Sequence, residues 1–397
     1  MSREGRRSRR RWLTQCGGIG LIGTAGCLRL AENSEGTQEE DSAGSPQTES
    51  TDETETPDPE TFDIELDPVW SAPSGSLATA GGDFFFRSRF DVLERVRPDG
   101  QTVFESDIEE GYLLSSGGGH RDTLTVDASG VYVGARARED ELGGRVYAFD
   151  PEDGTQRWVN DEPADGLHTN IGATAKLDDL IVYASQASGS GSDQEPIVRG
   201  VDAETGEERW QIQLEDGFVN GLIANDDRLF VQQTFTLYIY ELSTRELLDE
   251  RRESTGFNRA VSVDDVLYVP GNTIRALTLP SADEHWATDT SYEVNTTPGV
   301  GESGVYVGTE AGYVLGYDRD TGDQLWEARV DGTVEHRPIV AEGCVWIANE
   351  RGELTVFLEE TGDRVYNEDI EPSFEFAILG RILKDSERET AFEITGI

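Results

Sequence analysis

The sequence predicts an all-β chain, an eight-bladed β-propeller of four-stranded blades. Three observations carry that prediction: a turn-and-strand signature that recurs, a spacing between copies near forty residues, and the lack of a convincing amphipathic helix period. The clearest copy is Gly312 to Trp326, GYVLGYDRDTGDQLW. Tyr313 to Tyr317 is rich in β-branched and aromatic residues, DRDTG is a turn, and Asp323 to Trp326 resumes an extended pattern. The Asp318 carboxylate can accept from backbone N–H groups just ahead, and Gly322 can take the left-handed conformation that closes a short hairpin. Trp326, four residues past that glycine, is placed to be buried against a neighbouring unit.

Asp150, Gly154 and Trp158 keep the same Asp-x3-Gly-x3-Trp spacing, as do Asp202, Gly206 and Trp210. Weaker copies end at Phe104 after Gly100, at Tyr366 after Gly362, and at Trp286 with Ala282 in the glycine place. The most degenerate, YELSTRELL, ends at Leu248. Anchors at 104, 158, 210, 248, 286, 326 and 366 give intervals of 54, 52, 38, 38, 40 and 40.

The pattern VYVG…GYVLGYDRDTGDQLW resembles the repeat of the PQQ-like propellers, a family that holds quinoprotein dehydrogenases and the non-enzymatic outer-membrane assembly factor BamB. The resemblance covers residues 62 to 397. It implies four strands per blade, with Trp70, Phe104, Trp158, Trp210, Trp286, Trp326 and Tyr366 docking on the adjacent blade. Fold likeness of this kind carries little about function by itself.

Taken in order, residues 1–26 are a targeting segment. Ser8-Arg9-Arg10-Arg11-Trp12-Leu13 resembles a twin-arginine export motif. Cys16 to Gly26 is too short an apolar run to span a membrane, and Thr24-Ala25-Gly26-Cys27 is similar to a lipobox, with Thr24 in the usual leucine place. Cys27 is therefore the expected site of lipidation. Residues 27–61 form an acidic tether that cannot bury enough apolar surface to order itself. No Lys or Arg occurs from Ala31 to Phe86.

The propeller is expected over residues 62–397. After Tyr366 the chain has 31 residues left, which read as three strands, FEFAILG, RILKD and TAFEITGI. FDIELDPVW, with Trp70 in an anchor place, can supply the fourth strand and so close the last blade with the N-terminal strand. Insertions at 106–121, 135–144, 160–170 and 185–196 fall in connections that emerge on one face, the face for a protein partner.

Composition constrains the surroundings. Asp and Glu number 79 against 33 Lys and Arg, for a net charge of −46, and Lys176 and Lys384 are the only lysines. Such a surface suits molar salt, where the screening length falls to about 3 Å, and points to a haloarchaeal protein. Nucleic-acid binding is disfavoured because no basic patch survives loss of the signal. The chain is expected to be a membrane-anchored monomer. Cys344 stands alone in the propeller, so no internal disulfide is expected there.

Polar or small residues precede the first strand of each blade: Ser76, Arg121, Asn170, Asn220, Asn258, Thr296, His336 and Ser373. These would ring the mouth of the central channel. With Arg259 and Arg337 they form a candidate funnel for an anionic or carbonyl-rich segment of a protein or solute. His120, His168, His285 and His336 show no metal-ligand spacing, and no metal is expected. The enzyme alternative is drawn from the resemblance: the larger quinoprotein dehydrogenases hold PQQ with Ca2+ and use a vicinal cysteine pair, which this chain lacks. No catalytic residue and no cofactor is expected, and a binding or assembly scaffold is preferred.

Overall fold

The computed structural model describes residues 63–71, 76–80, 84–89, 91–114, 123–138, 143–160, 170–186, 195–215, 217–225, 227–252, 259–369, 376–385 and 390–396. Arg9, Arg10, Cys27, Arg121 and Asn258 lie outside them. The described residues contain no helix and form eight antiparallel sheets. Most sheets are four-stranded meanders in chain order. The sixth, for example, runs Gly299–Val300, Gly304–Gly308, Tyr313–Asp318 and Gln324–Arg329. This is an arrangement consistent with a β-propeller.

First strands of several successive sheets lie side by side, as Asn170–Leu177 of the third does with Val219–Asn225 of the fourth. Ser76–Ala80 of the first sheet touches both Leu124–Asp127 of the second and Phe376–Leu379 of the eighth. The eighth sheet unites the chain ends: Glu65–Ser71 pairs with Thr390–Thr395, Trp70 opposite Ala391, and the Asp63 amide donates to the Gly396 carbonyl at 3.2 Å. Apolar clusters fill the seams between sheets, such as Tyr306, Trp326, Val334, Val345 and Phe357 between the sixth and seventh.

The recurring turn forms by one mechanism. The amides of Gly154, Gly206, Gly322 and Gly362 each donate to the carbonyl four residues back. Each glycine has φ between 72 and 75°. Asp318 Oδ1 accepts from the amides of Asp320 and Thr321 at 3.0 and 2.8 Å, and Asp202 Oδ1 does the same for Glu204 and Thr205. A Cβ added to Gly322 would lie 2.5 Å from a ring atom of Trp286, and one on Gly362 2.6 Å from Trp326. The same holds for Gly206 under Trp158, Gly154 under Phe104 and Gly100 under Trp70. The last of these places an aromatic of the eighth sheet on a turn of the first. Each indole N–H also donates across the seam: Trp70 to Pro98 O, Trp158 to Ala203 O, Trp286 to Arg319 O and Trp326 to Glu359 O, at 2.7 to 3.0 Å.

Sheet four departs from the pattern, and one sequence assignment needs correction there. Register pairs Ile239 with Asp249 and Tyr240 with Leu247, just as Gly316 pairs with Trp326 and Tyr317 with Gln324. The anchor is thus Asp249, not Leu248, which is the bulged residue and is 49% exposed. Arg245, at φ 62°, stands in the glycine place. Across the next seam Ala282, at φ 61°, stands in the glycine place of sheet five, and Arg251 Nη2 donates to its carbonyl at 2.9 Å. A second correction concerns residues 106–121, expected as a plain connection: Tyr112–Leu114 is a strand paired with Ala135 to Ala137, in line with Leu124–Asp127.

Candidate functional site

The end of the sheets at which the first strands begin also carries the second-to-third hairpins, because consecutive strands are antiparallel. Asn170 opens Asn170–Leu177, and Asn220 is second in Val219–Asn225. Arg259 precedes Val261–Val263, Thr296 precedes Gly299–Val300, and His336 and Arg337 precede Ile339–Ala341. The described strand ends that flank the four long insertions lie at this same end.

Burial divides the candidates. Asn170, Thr296 and His336 are buried, and Thr296 Oγ1 accepts the Gly308 amide at 2.8 Å, so this hydroxyl already serves the backbone. Asn220, Arg259 and Arg337 are half-buried. Asn220 Nδ2 lies 3.4 Å from Thr234 Oγ1 in the hairpin whose tip, Phe235, is 56% exposed. A Cβ on Gly221 would sit 3.8 Å from Arg259 Cγ, which brings Asn220 and Arg259 onto adjoining sheets at one rim.

Glutamines that sequence reasoning passed over join the sheets at this rim. Gln186 Oε1 accepts the Val219 amide and Gln232 Oε1 the Ala260 amide, both at 2.8 Å, while Gln233 Nε2 donates to Glu215 O at 3.2 Å. All three are buried. Their signal in the sequence is a glutamine closing an apolar second strand, ASQ and VQQ. At the opposite end of the first strands Lys176 Nζ meets Asp127 Oδ2 at 2.7 Å across the seam of the second and third sheets. Both lysines of the chain are buried, Lys176 at 4% and Lys384 at 1% exposure. The two lysines of this acidic chain are thus both held by packing, as is Arg199 at 5% exposure.

A quinone with calcium would need a carboxylate and amide donor set, with the cysteine pair that the dehydrogenase resemblance implies. Among the described residues no three His, Cys, Asp or Glu side chains gather as metal ligands. Cys344 is buried beside Trp346 and Ile339, and burial pushes its thiol up to about 11. His285 is exposed on Asp283–Asp289, as its place beside Trp286 suggests.

Comparison with known proteins follows the same lines. No curated protein matches the chain. In structure it is similar to BamB from Moraxella catarrhalis, with a TM-score of 0.61 at 14% identity over 83% of this chain and 97% of that one. It is also similar to the computationally designed Ika8 protein, with a TM-score of 0.64 at 14% identity over 84% and 99% of the two chains. A quinohemoprotein alcohol dehydrogenase from Pseudomonas putida HK5 gives 0.59 at 11% identity over 81% and 71%. At such identities these likenesses show the fold alone. The family model described as outer membrane protein assembly factor BamB matches residues 61–220 and 270–381, leaving out most of sheet four, where Asp249 and Arg245 replace the usual tryptophan and glycine. Residues 61–220 and 270–381 make up more than half of the chain, which therefore belongs to the family of outer membrane protein assembly factor BamB.

Proposed function

We propose that the chain is an exported, lipid-anchored propeller of eight blades that acts as a non-catalytic scaffold for protein assembly at the outer face of a haloarchaeal membrane. The observation that carries the reading is the family match, whose model is described as an assembly factor. Residues 1–26 direct export through Arg9 and Arg10, Cys27 takes the lipid, 27–61 are the tether, and 62–397 form the ring. Pairing of Glu65–Ser71 with Thr390–Thr395, and Trp70 lying on Gly100, support closure of that ring by the N-terminal strand.

The partner docks on the rim that carries the long insertions. Asn220, Arg259 and Arg337 are its half-buried polar groups, with Asn170, Thr296 and His336 holding the rim in shape; Arg121 and Asn258, outside the described residues, are assigned to it by sequence alone. In molar salt the arginines act at hydrogen-bond range only, so they select a carbonyl-rich or anionic segment by contact. A saccharide or anion binder uses the same groups; a PQQ-dependent dehydrogenase has the fold likeness in its favour but lacks the cysteine pair.

Affinity capture from membranes at native salt tests the reading. The unsubstituted protein should return one stoichiometric protein partner, and Arg259→Ala with Arg337→Ala should weaken that capture while leaving the melting temperature unchanged. Full capture by the double variant, lost instead on deleting 135–144, would move the contact to the insertions. Cys27→Ser should release the chain from membranes; a cleaved form that stays bound contradicts the anchor.

A further inference from the structure

The sequence holds one Asn-x-Ser/Thr triplet, Asn295-Thr296-Thr297, in the connection from sheet five to sheet six at the rim. Such a triplet accepts N-linked sugar where it lies on an exported surface. The fold divides its three side chains by use. Thr296 is buried at 1% exposure, and its hydroxyl accepts the Gly308 amide at 2.8 Å. The Asn295 amide donates to the Gly308 carbonyl at 3.2 Å, and Val294 bridges Thr309, so the backbone is tied to the end of the second strand of sheet six. Asn295 and Thr297 are half-buried. Only Oδ1 of the Asn295 carboxamide is shut away from solvent, with no partner among the described residues. Its Nδ2 and the Thr297 hydroxyl are neither buried nor bonded by any described residue. Asn160 and Asn349, by contrast, commit Nδ2 to the carbonyls of Gly206 and Asp331. The middle residue of the triplet thus anchors the segment, and the two groups that glycosylation requires are left to the surface.

We infer that Asn295 is a site of N-linked glycosylation, carrying an oligosaccharide on the rim of sheet six. The inference rests on the proposed export of the chain, because the donor is a lipid-linked oligosaccharide used at the outer face of the membrane. In the transfer Asn295 Nδ2 attacks the anomeric carbon of the first sugar. A carbon–nitrogen bond forms, and the bond from that carbon to the lipid phosphate oxygen breaks. The lipid phosphate leaves with the electron pair, and Nδ2 gives up one proton. Thr297 supplies the hydroxyl by which the transferase recognises the triplet. Thr296 takes no part beyond holding the segment to Gly308. Sheet six bears none of the four long insertions, so the sugar adds bulk to a part of the rim that they leave bare.

Peptide mass spectrometry of the full-length protein, taken from the outer face of haloarchaeal membranes, tests the site. Cleavage after glutamate releases Val294 to Glu302, VNTTPGVGE, which contains no other asparagine. That peptide should carry the added mass of an oligosaccharide, and the same peptide from chain still inside the cell should not. Asn295→Gln and Thr297→Ala should each abolish the added mass, whereas Thr297→Ser should keep it. An unmodified peptide from protein at the outer face overturns the inference and leaves the export reading standing; a chain never found at the outer face overturns both. Added mass that survives Thr297→Ala also contradicts the site.

Discussion

The indole of Trp286 lies on Gly322 of the following sheet, so close that a Cβ at Gly322 would stand 2.5 Å from the ring, and its N–H donates to Arg319 O at 2.9 Å. One side chain thereby fills the seam and satisfies a carbonyl of the turn it covers. The glycine is needed twice, for φ of 73° and for the space.

These two needs can be separated by substitution. Gly322→Ala suffers both backbone strain and the clash, and should destabilise by about 2 to 5 kcal/mol. Gly343, at φ 68° with nothing within 4 Å of an added Cβ, carries the strain alone, so Gly343→Ala should lose only about 1 to 2 kcal/mol. Denaturant unfolding at constant salt measures both; equal losses would mean that the ring does not press on Gly322.

Arg245 holds the same turn conformation without being glycine, and it is exposed. Arg245→Gly should therefore gain about 1 kcal/mol from relief of left-handed strain. Ala282→Gly should be near neutral, because Ala282 is buried with Phe230 and Leu279 and its methyl contributes about what the strain costs. A loss of stability in Arg245→Gly would show that the side chain itself holds the turn.

Asp202 answers to pH. The Arg209 guanidinium beside it, with the Thr205 amide, holds its carboxyl at about 2. Because the folded value is depressed, the turn's contribution is present above the ordinary carboxylate range near 4 and is lost as pH falls toward 2. NMR titration should give a midpoint near 2, and Arg209→Ala should raise it. A midpoint near 4 in the unsubstituted protein would contradict the pairing.

Salt sets the working range of the whole surface. With 79 acidic against 33 basic side chains, self-repulsion is strong in dilute buffer and screened within about 3 Å in molar salt. The melting temperature should rise steeply between those conditions. Calorimetry over a salt series checks it, and a flat dependence would mean that the acidic groups are too dispersed to matter.

How far the sequence carries depends on whether a residue type has one structural use. Tryptophan four residues after a turn glycine has few alternatives, so the docking positions at Trp158, Trp286 and Trp326 were legible. Where Asp249 replaces the aromatic there is no such mark, and the frame slipped by one residue onto Leu248. Glutamine closes many strands for no reason visible in sequence. The roles of Gln186 and Gln232 rest on which amide of the next sheet comes within reach, and only the fold sets that. The rim followed from strand order alone. How deeply each of its members is buried did not, since that depends on contacts only the fold makes, Asn170 against Gly144 and Thr296 against Gly308.

The central claim, a scaffold without chemistry of its own, is tested most directly by loading. The purified full-length protein is incubated with PQQ and calcium at native salt, freed of unbound cofactor, and assayed for dye-linked oxidation of alcohols and sugars. The account predicts no retained quinone absorbance and no oxidation above the cofactor-free blank; sustained turnover by the loaded protein would contradict it.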